Sequence, residues 1–397
     1  MTIFGNIKKW VDGCARVFAR EWSTVLHDQG VMIFFVFLPL VYPIAYTLIY
    51  NPELLREIHV VVVDNDRTEA SRKLVRDAGA SPSIDIRGYA ADMAEAKEAL
   101  AEREAYAILL IPRGYGRDIV RFEPTTATLY CEMSLLLRYR DLVAAAADVQ
   151  MKDIREITAE RARTTGVSAS SGMPFDSISN FMGDTQQGFA SFVMPGIVVL
   201  ILQQSMVLGI AMLGGTSRER RRRNGGIDPL MVQGVPHSAT VTGRTMCYFV
   251  FYIAPTMYLL HWIPEMFNLP HEGSAVQYLL FAVPLVLGSA LFGQTLNYFV
   301  RDREAPFIII VLTSVIFLFL SGFTWPRYAF PAFWQWVGDF VPAVWGVEGY
   351  IRISGNGATL AQNSYQFLWL WLLVVLYFCT SVFVLHLVDR QVRRGRF

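Results

Sequence analysis

Between Glu272 and Arg301 the chain contains no Asp, Glu, Lys or Arg, and an uncharged run of that length fits few environments other than a lipid bilayer. An α-helix rises about 1.5 Å per residue, so crossing about 30 Å of hydrocarbon takes roughly 20 mostly apolar residues. Six stretches meet that requirement, at 31–50, 188–213, 245–263, 275–300, 305–323 and 366–388. Charged residues make up only 17% of the chain, against roughly 25% in soluble domains, which fits a protein that exposes much of its surface to lipid. The expected fold is a polytopic α-helical membrane protein of six transmembrane helices, with an α/β domain inserted between the first two.

An even number of spans puts both termini on one side, and the Lys and Arg of the short loops say which. One side carries Lys8, Lys9, Arg16 and Arg20, then Arg218 and Arg220 to Arg223, then Arg301 and Arg303, and finally Arg390, Arg393, Arg394 and Arg396. The short loops of the other side offer only Arg327 and Arg352. Both termini are therefore expected in the cytoplasm, with a basic tail at 390–397 and residues 51–187 outside. No cleavable signal peptide is expected, because no short apolar stretch with a small-residue cleavage site opens the chain. Ahead of the first span, within 1–30, Ile3, Phe4, Ile7, Trp10, Val11, Cys14, Val17 and Phe18 recur at helical spacing. Such a helix lies on the inner leaflet or packs on a partner protein.

The segment 51–187 reads as a small α/β domain. IHVVVVD at 58–64 is an apolar run of strand length, and Asp66 with Glu69 is spaced as a capping box for the next helix. A strand near 83–88, a helix near 91–103, a buried strand AYAILLI stopped by Pro112, and an alternating strand from Thr125 to Cys131 follow. No breaker interrupts the stretch from Ser134 to Gly166, which predicts one helix of about thirty residues. Asp64 and Asp66 read as turn and cap residues rather than cation ligands. Four scattered cysteines, Cys14, Cys131, Cys247 and Cys379, form no zinc or disulfide pattern, and no metal site is expected.

No Gly-x-x-x-x-Gly-Lys-Ser/Thr loop occurs, and Gly214-Gly215-Thr216 lacks the lysine. His-Glu-x-x-His and Gly-x-Ser-x-Gly are absent as well, so no catalytic residues are assigned.

Two local signatures sit within this layout. In the loop 214–244, Arg218-Glu219 is followed by Gly226, Leu230, Pro236 and Gly243-Arg244. Between the last two spans, SGFTWPRYAFPAFWQWVGDFVPAVWGVEGY runs from Ser321 to Tyr350 and leads into and through most of the outer hairpin 324–365. With the order of parts, these resemble the type-2 ABC exporter permeases that carry a large domain between spans one and two. The chain departs from that pattern in its four consecutive arginines and in reading Gly226-Ile227-Asp228 where the family typically has Gly-Thr and Glu.

The resemblance implies an inner-membrane permease that exports a drug-like, lipid-linked or peptide substrate. Cytoplasmic ABC ATPase subunits would bind the ATP and Mg, so this chain would hold no cofactor itself. It further implies a second permease copy or paralogue; the size of the outer domain leaves room for a periplasmic adaptor, membrane lipids contact the spans, and no nucleic acid is expected. Arg218, Glu219, Arg220, Arg221, Arg222, Arg223, Gly226, Asp228, Leu230 and Pro236 are the expected coupling residues, with 217–231 as an ATPase-docking helix or a lipid-phosphate anchor. Gln203, Gln204 and Ser205 of span two, with Thr313 and Ser314 of span five, either bond between helices or line a translocation path. Phe330, Phe333, Trp334, Val337 and Phe340 form an interfacial aromatic belt or an outer gate. The competing reading is a membrane receptor or scaffold whose outer domain binds an envelope partner.

Overall fold

The computed structural model describes residues 2–50, 56–121, 123–165, 188–297 and 299–393. The polar stretch 168–187, the tail residues Arg394 and Arg396, and the side chains of Ile3 and Phe4 lie outside the described residues. The chain divides into two compact units, one of Met1–Glu53 with Phe181–Phe397 and one of Leu54–Asn180.

In the first unit, helix α1 (Thr2–His27) precedes α2 (Gln29–Ile49), whose start is capped by the Asp28 carboxylate accepting from Val31 N–H. Pro39 and Pro43 cannot donate backbone hydrogen bonds, and α2 passes through a π turn, Ile33–Phe37, just before the first of them. Phe35 of that turn is fully buried against Gly209, where a Cβ would stand 2.1 Å from the ring. The apolar stripe of α1 is divided. Gly13, Cys14 and Val17 pack on Val235, Ala239 and Gly243 of the same chain, whereas Ile7, Val11 and Leu26 stay exposed.

The second unit carries strands β1 (Ile58–Asp64), β2 (Ile84–Tyr89), β3 (Ala107–Ile111) and β4 (Thr128–Cys131) in the order β2-β1-β3-β4. The first three are parallel and β4 is antiparallel to β3. Helices α3 (Glu69–Gly79), α4 (Met93–Ala101), α5 (Tyr115–Val120) and α6 (Leu136–Thr165) complete it. β1 is apolar along its length because both faces are covered: Val60 and Val62 join one core with Val75 and Leu142, Val61 and Val63 the other with Ala96.

The capping box of α3 is Thr68 with Ser71, in place of the expected Asp66 and Glu69. Asp66 is engaged elsewhere, accepting from Gly114 N–H at 2.7 Å, Gly116 N–H at 2.8 Å and the Thr68 hydroxyl at 2.6 Å. Asp64 accepts from the Asp66 and Arg67 N–H groups and from the Ser71 hydroxyl. Both aspartates are therefore turn residues, and Asp66 ties the start of α5, an element the sequence did not reveal, to the end of β1.

Back in the first unit come α7 (Phe189–Arg223), α8 (His237–Met266), α9 (Ala275–Leu296), α10 (Ala305–Leu320), α11 (Ala332–Asp339), α12 (Pro342–Asn356) and α13 (Ser364–Arg393). Among the described residues, five helices are long and apolar enough to cross a membrane: α2, α7, α8, α9 and α13. The stretch expected at 305–323 forms the 16-residue helix α10, which is shorter. It starts just after Asp302, which receives the Arg222 guanidinium, and ends just before Phe323, stacked on Phe192. It thus lies antiparallel to part of α7.

Candidate functional site

The loop expected at 214–244 is mostly a continuation of two spans. Past Pro195, α7 meets no further proline before Asn224, so Arg218 to Arg223 form its last turns, and α8 begins at His237. The expected docking helix over 217–231 is accordingly absent as a separate element, and only 224–236 is non-helical. Gly214 and Gly215 survive inside α7 because a neighbouring loop presses on them. A Cβ on Gly214 would meet the Asn297 side chain at 2.4 Å, and one on Gly215 the Asp302 carbonyl oxygen at 2.5 Å.

At this end of the unit, charges are paired between elements. Asp228, 4% exposed, accepts from Arg220 Nε at 2.9 Å and Nη2 at 3.1 Å, from Ser217 Oγ at 2.5 Å and from Leu230 N–H at 3.0 Å. Burial alone would raise the Asp228 carboxyl pKa, yet Arg220 and the other donors hold it below its ordinary value. Arg303 bridges Asp28 (2.8 and 2.5 Å) and Thr216 (3.3 Å), while its backbone N–H donates to Glu219 Oε1 at 2.8 Å. Arg221 is buried between Met231 Sδ at 2.7 Å and Asp389 at 3.7 Å, and His237 Nε2 lies 2.9 Å from the same aspartate. Glu21 of α1 takes the Tyr248 hydroxyl and faces Arg244 Nε at 3.3 Å, and Arg20 Nε donates to Leu230 O.

Several of the expected coupling residues make contacts within the chain. Asp228 and Arg221 are buried in ion pairs, Glu219 is half-buried with Oε1 accepting from Arg303 N–H, and Gly226 is buried. Arg222 is exposed but holds Asp302; Arg223, Ile227, Pro229 and Pro236 are exposed, while Arg218 and Leu230 are half-buried. Sequence reasoning missed Glu21, Asp28, Asp302 and Asp389. The signal available was an ionisable residue next to or inside an apolar run, which demands a partner; the partner's identity comes only from the fold.

In mid-helix, Gln203 Oε1 accepts from Ala343 N–H at 2.5 Å and the Ser289 hydroxyl at 3.5 Å, joining α7 to the start of α12 and to α9. Ser205 receives the Tyr252 hydroxyl at 3.1 Å. Both therefore bond between helices. Thr313 and Ser314 return their hydroxyls to Ile309, Ile310 and Val311 of their own helix, and among the described residues no hydrogen bond joins them to Gln203, Gln204 or Ser205. The Gln203 and Gln204 amide nitrogens are buried without a partner among the described residues.

The outer hairpin also divides. Phe333, Trp334, Trp336 and Phe340 are exposed, Phe330 and Val337 are half-buried, and Val341 turns into the core. The expected single apolar face is therefore not one surface. Arg327 anchors the hairpin between Asp339 and Glu348 (3.2 Å), with its guanidinium 4.3 Å from the Trp345 ring centroid. In the α/β unit, a cavity of about 320 Å³ lies between the β1 and β3 face, Tyr115, and Val149 and Ile154 of α6.

Long apolar helices, buried hydrogen bonds between them and ion pairs gathered at helix ends define a multi-pass membrane protein. The model of the ABC-2 family transporter proteins matches residues 30–383, nearly the whole chain, and the chain belongs to that family as a type-2 ABC transporter permease. It is 23% identical over 265 residues to the ABC transporter G family member 20 of Dictyostelium discoideum. That alignment covers 67% of this chain and 33% of the relative, so the chain spans about one third of the relative's length.

Proposed function

We propose that this permease serves an exporter, moving a hydrophobic or amphipathic substrate out of the cytoplasm or inner membrane with power from a separate ATPase chain. These 397 residues contain no phosphate-cradling loop, so the ATP-binding part lies outside them. Charge-poor spans favour an amphipathic cargo, since a charged substrate would require compensating charge at membrane depth. Six crossings with both termini cytoplasmic and 51–187 outside are part of the reading. The course of α10 and the gathering of α1, Arg220 to Arg223 and Asp389 at one end support it.

The observation that carries the coupling role is the turn 224–235. Asp228 braces it from within, α1 holds it through Arg20, and it still presents Ile227, 58% exposed, beside the exposed Arg223. A stiff projection with one apolar tip and a basic flank suits a cleft on a partner and passes movement into α7 and α8, which it joins. The test replaces the tip: Ile227→Asp should lose copurification of the cognate ATPase, while Phe333→Ala at the other end of the unit should keep it. Full ATPase retention by Ile227→Asp would place the docking surface elsewhere.

A further inference from the structure

At the end of the membrane unit opposite the arginine cluster, α8 leaves its span through a π turn, Tyr258–Trp262, that contains His261. Glu265 follows one turn later on the same face. The chain then reverses through Asn268, at φ 52°, with Leu269 N–H donating to Pro264 O at 2.9 Å. The reversal brings His271 back onto His261, with His261 Nδ1 and His271 Nε2 2.6 Å apart and the ring centroids 4.7 Å apart. One donor atom each from His261, Glu265 and His271 lies within 4.8 Å of the others.

We infer that His261, Glu265 and His271 form a binding site for a divalent transition-metal cation of the zinc class, clamping the end of α8 to the start of α9. Two imidazoles and one carboxylate are a donor set that suits zinc-like ions and is poorly matched to magnesium or calcium, which prefer all-oxygen surroundings. Nitrogen ligands at about 2.05 Å on a tetrahedral ion stand roughly 3.3 Å apart, so the two rings open by about 0.7 Å and the exposed Glu265 carboxylate, now 3.8 Å from His261 Nε2, swings toward the ion.

Supporting contacts are already in place. His271 Nδ1 lies 2.9 Å from the Tyr278 hydroxyl, and that oxygen also accepts from Gly273 N–H at 3.1 Å. Tyr278 is fully buried and stacks on His271 at 4.8 Å and 15°. When Nε2 takes the metal, the proton moves to Nδ1, and the second lone pair of the phenol oxygen accepts it. This is the outer-shell contact that fixes the orientation and tautomer of a ligating histidine. On the other side, Glu265 is largely exposed, which leaves an entry path and a fourth position for water. Tyr350 donates to Leu260 O at 2.9 Å, so an ion here also stiffens the contact of α8 with α12.

The test uses the full chain, purified in detergent without a polyhistidine tag, titrated with Zn²⁺ by calorimetry and followed by thermal unfolding. The expected result is one Zn²⁺ per chain, with a rise in unfolding temperature that excess Mg²⁺ does not reproduce. His261→Asn and His271→Asn should abolish both signals, and Tyr278→Phe should weaken binding roughly tenfold through loss of the outer-shell contact. Glu265→Gln alters an exposed side chain and is expected to fold normally; it should also weaken binding about tenfold or more, a loss of about 1.4 kcal/mol. Absence of stoichiometric Zn²⁺ binding by the parent chain, or undiminished binding in Glu265→Gln, would overturn the inference.

Discussion

The two ends of the membrane unit are built on different principles. At one end arginines reach anions on other elements: Arg220 to Asp228, Arg221 to Asp389, Arg222 to Asp302, Arg303 to Asp28 and Arg244 to Glu21. At the other, one arginine, Arg327, secures a hairpin whose aromatic rings remain exposed. Several cross-links that share a loop resist relative movement of α1, α7 and α8. A hairpin held by Arg327, by the Tyr377 hydroxyl on the Phe340 carbonyl and by Val341 in the core still leaves its outer aromatic rings free to exchange neighbours. The first is suited to transmitting force, the second to contacting lipid, substrate or another protein.

Substitutions can break this contrast. The largest effect is expected at Asp228, whose loss leaves Arg220, Ser217 and the Leu230 N–H without their acceptor. Asp228→Ala should cost about 3 kcal/mol, since removing one partner of a buried pair is far more damaging than its net contribution. Thermal unfolding in detergent would show it, with Arg223→Ala as the mild comparison. Arg303→Ala should cost about 1 kcal/mol, because its pairs are partly solvated. The same measurement applies.

Acid should act on the Asp228 brace in a defined window. The Asp228 carboxyl lies below its ordinary pKa in the folded chain, so its contribution is complete above the ordinary carboxyl range and is lost as pH falls through the lower folded value. Asp66 behaves likewise: the Thr68 hydroxyl, helped by the Gly116 and Gly114 N–H groups, lowers its pKa against the opposing effect of burial. Unfolding temperature should therefore hold steady from about pH 7 to 5 and fall below about pH 4 with a shallower slope in Asp228→Asn. The smallest stability change is expected from Phe333→Ala or Trp336→Ala, less than about 0.5 kcal/mol, as for other exposed positions. A much larger loss would mean that the hairpin is a packed element.

The apolar helices and the strands β1 to β4 were legible because length and periodicity follow from the burial of each element by itself. The capping of α3 was misassigned because several oxygen-bearing residues crowd the turn at 64–71, and spacing alone does not say which one points at the helix. α7 was expected to end near 213 because hydropathy falls there, but charge does not stop a helix. Arginines continue it until Asn224 and two glycines. Which residues couple was less legible still. The run Arg220 to Arg223 looked like a uniform basic patch, yet Arg220 and Arg221 are covered in ion pairs while Arg222 and Arg223 are exposed. Gln203 and Ser205 stood out as polar residues at membrane depth, but whether they face a path or another helix depends on α12 and Tyr252, far away in sequence.

The proposed role to be tested is that this chain couples to ATP hydrolysis carried out elsewhere. The most direct measurement is ATP turnover in proteoliposomes containing the purified chain, first alone and then with its cognate ATPase chain. Alone, the chain should neither bind nucleotide saturably nor release phosphate, and the assembled pair should hydrolyse ATP, with Ile227→Asp reducing assembly-dependent turnover. Saturable ATP binding or turnover by the chain alone would contradict the account.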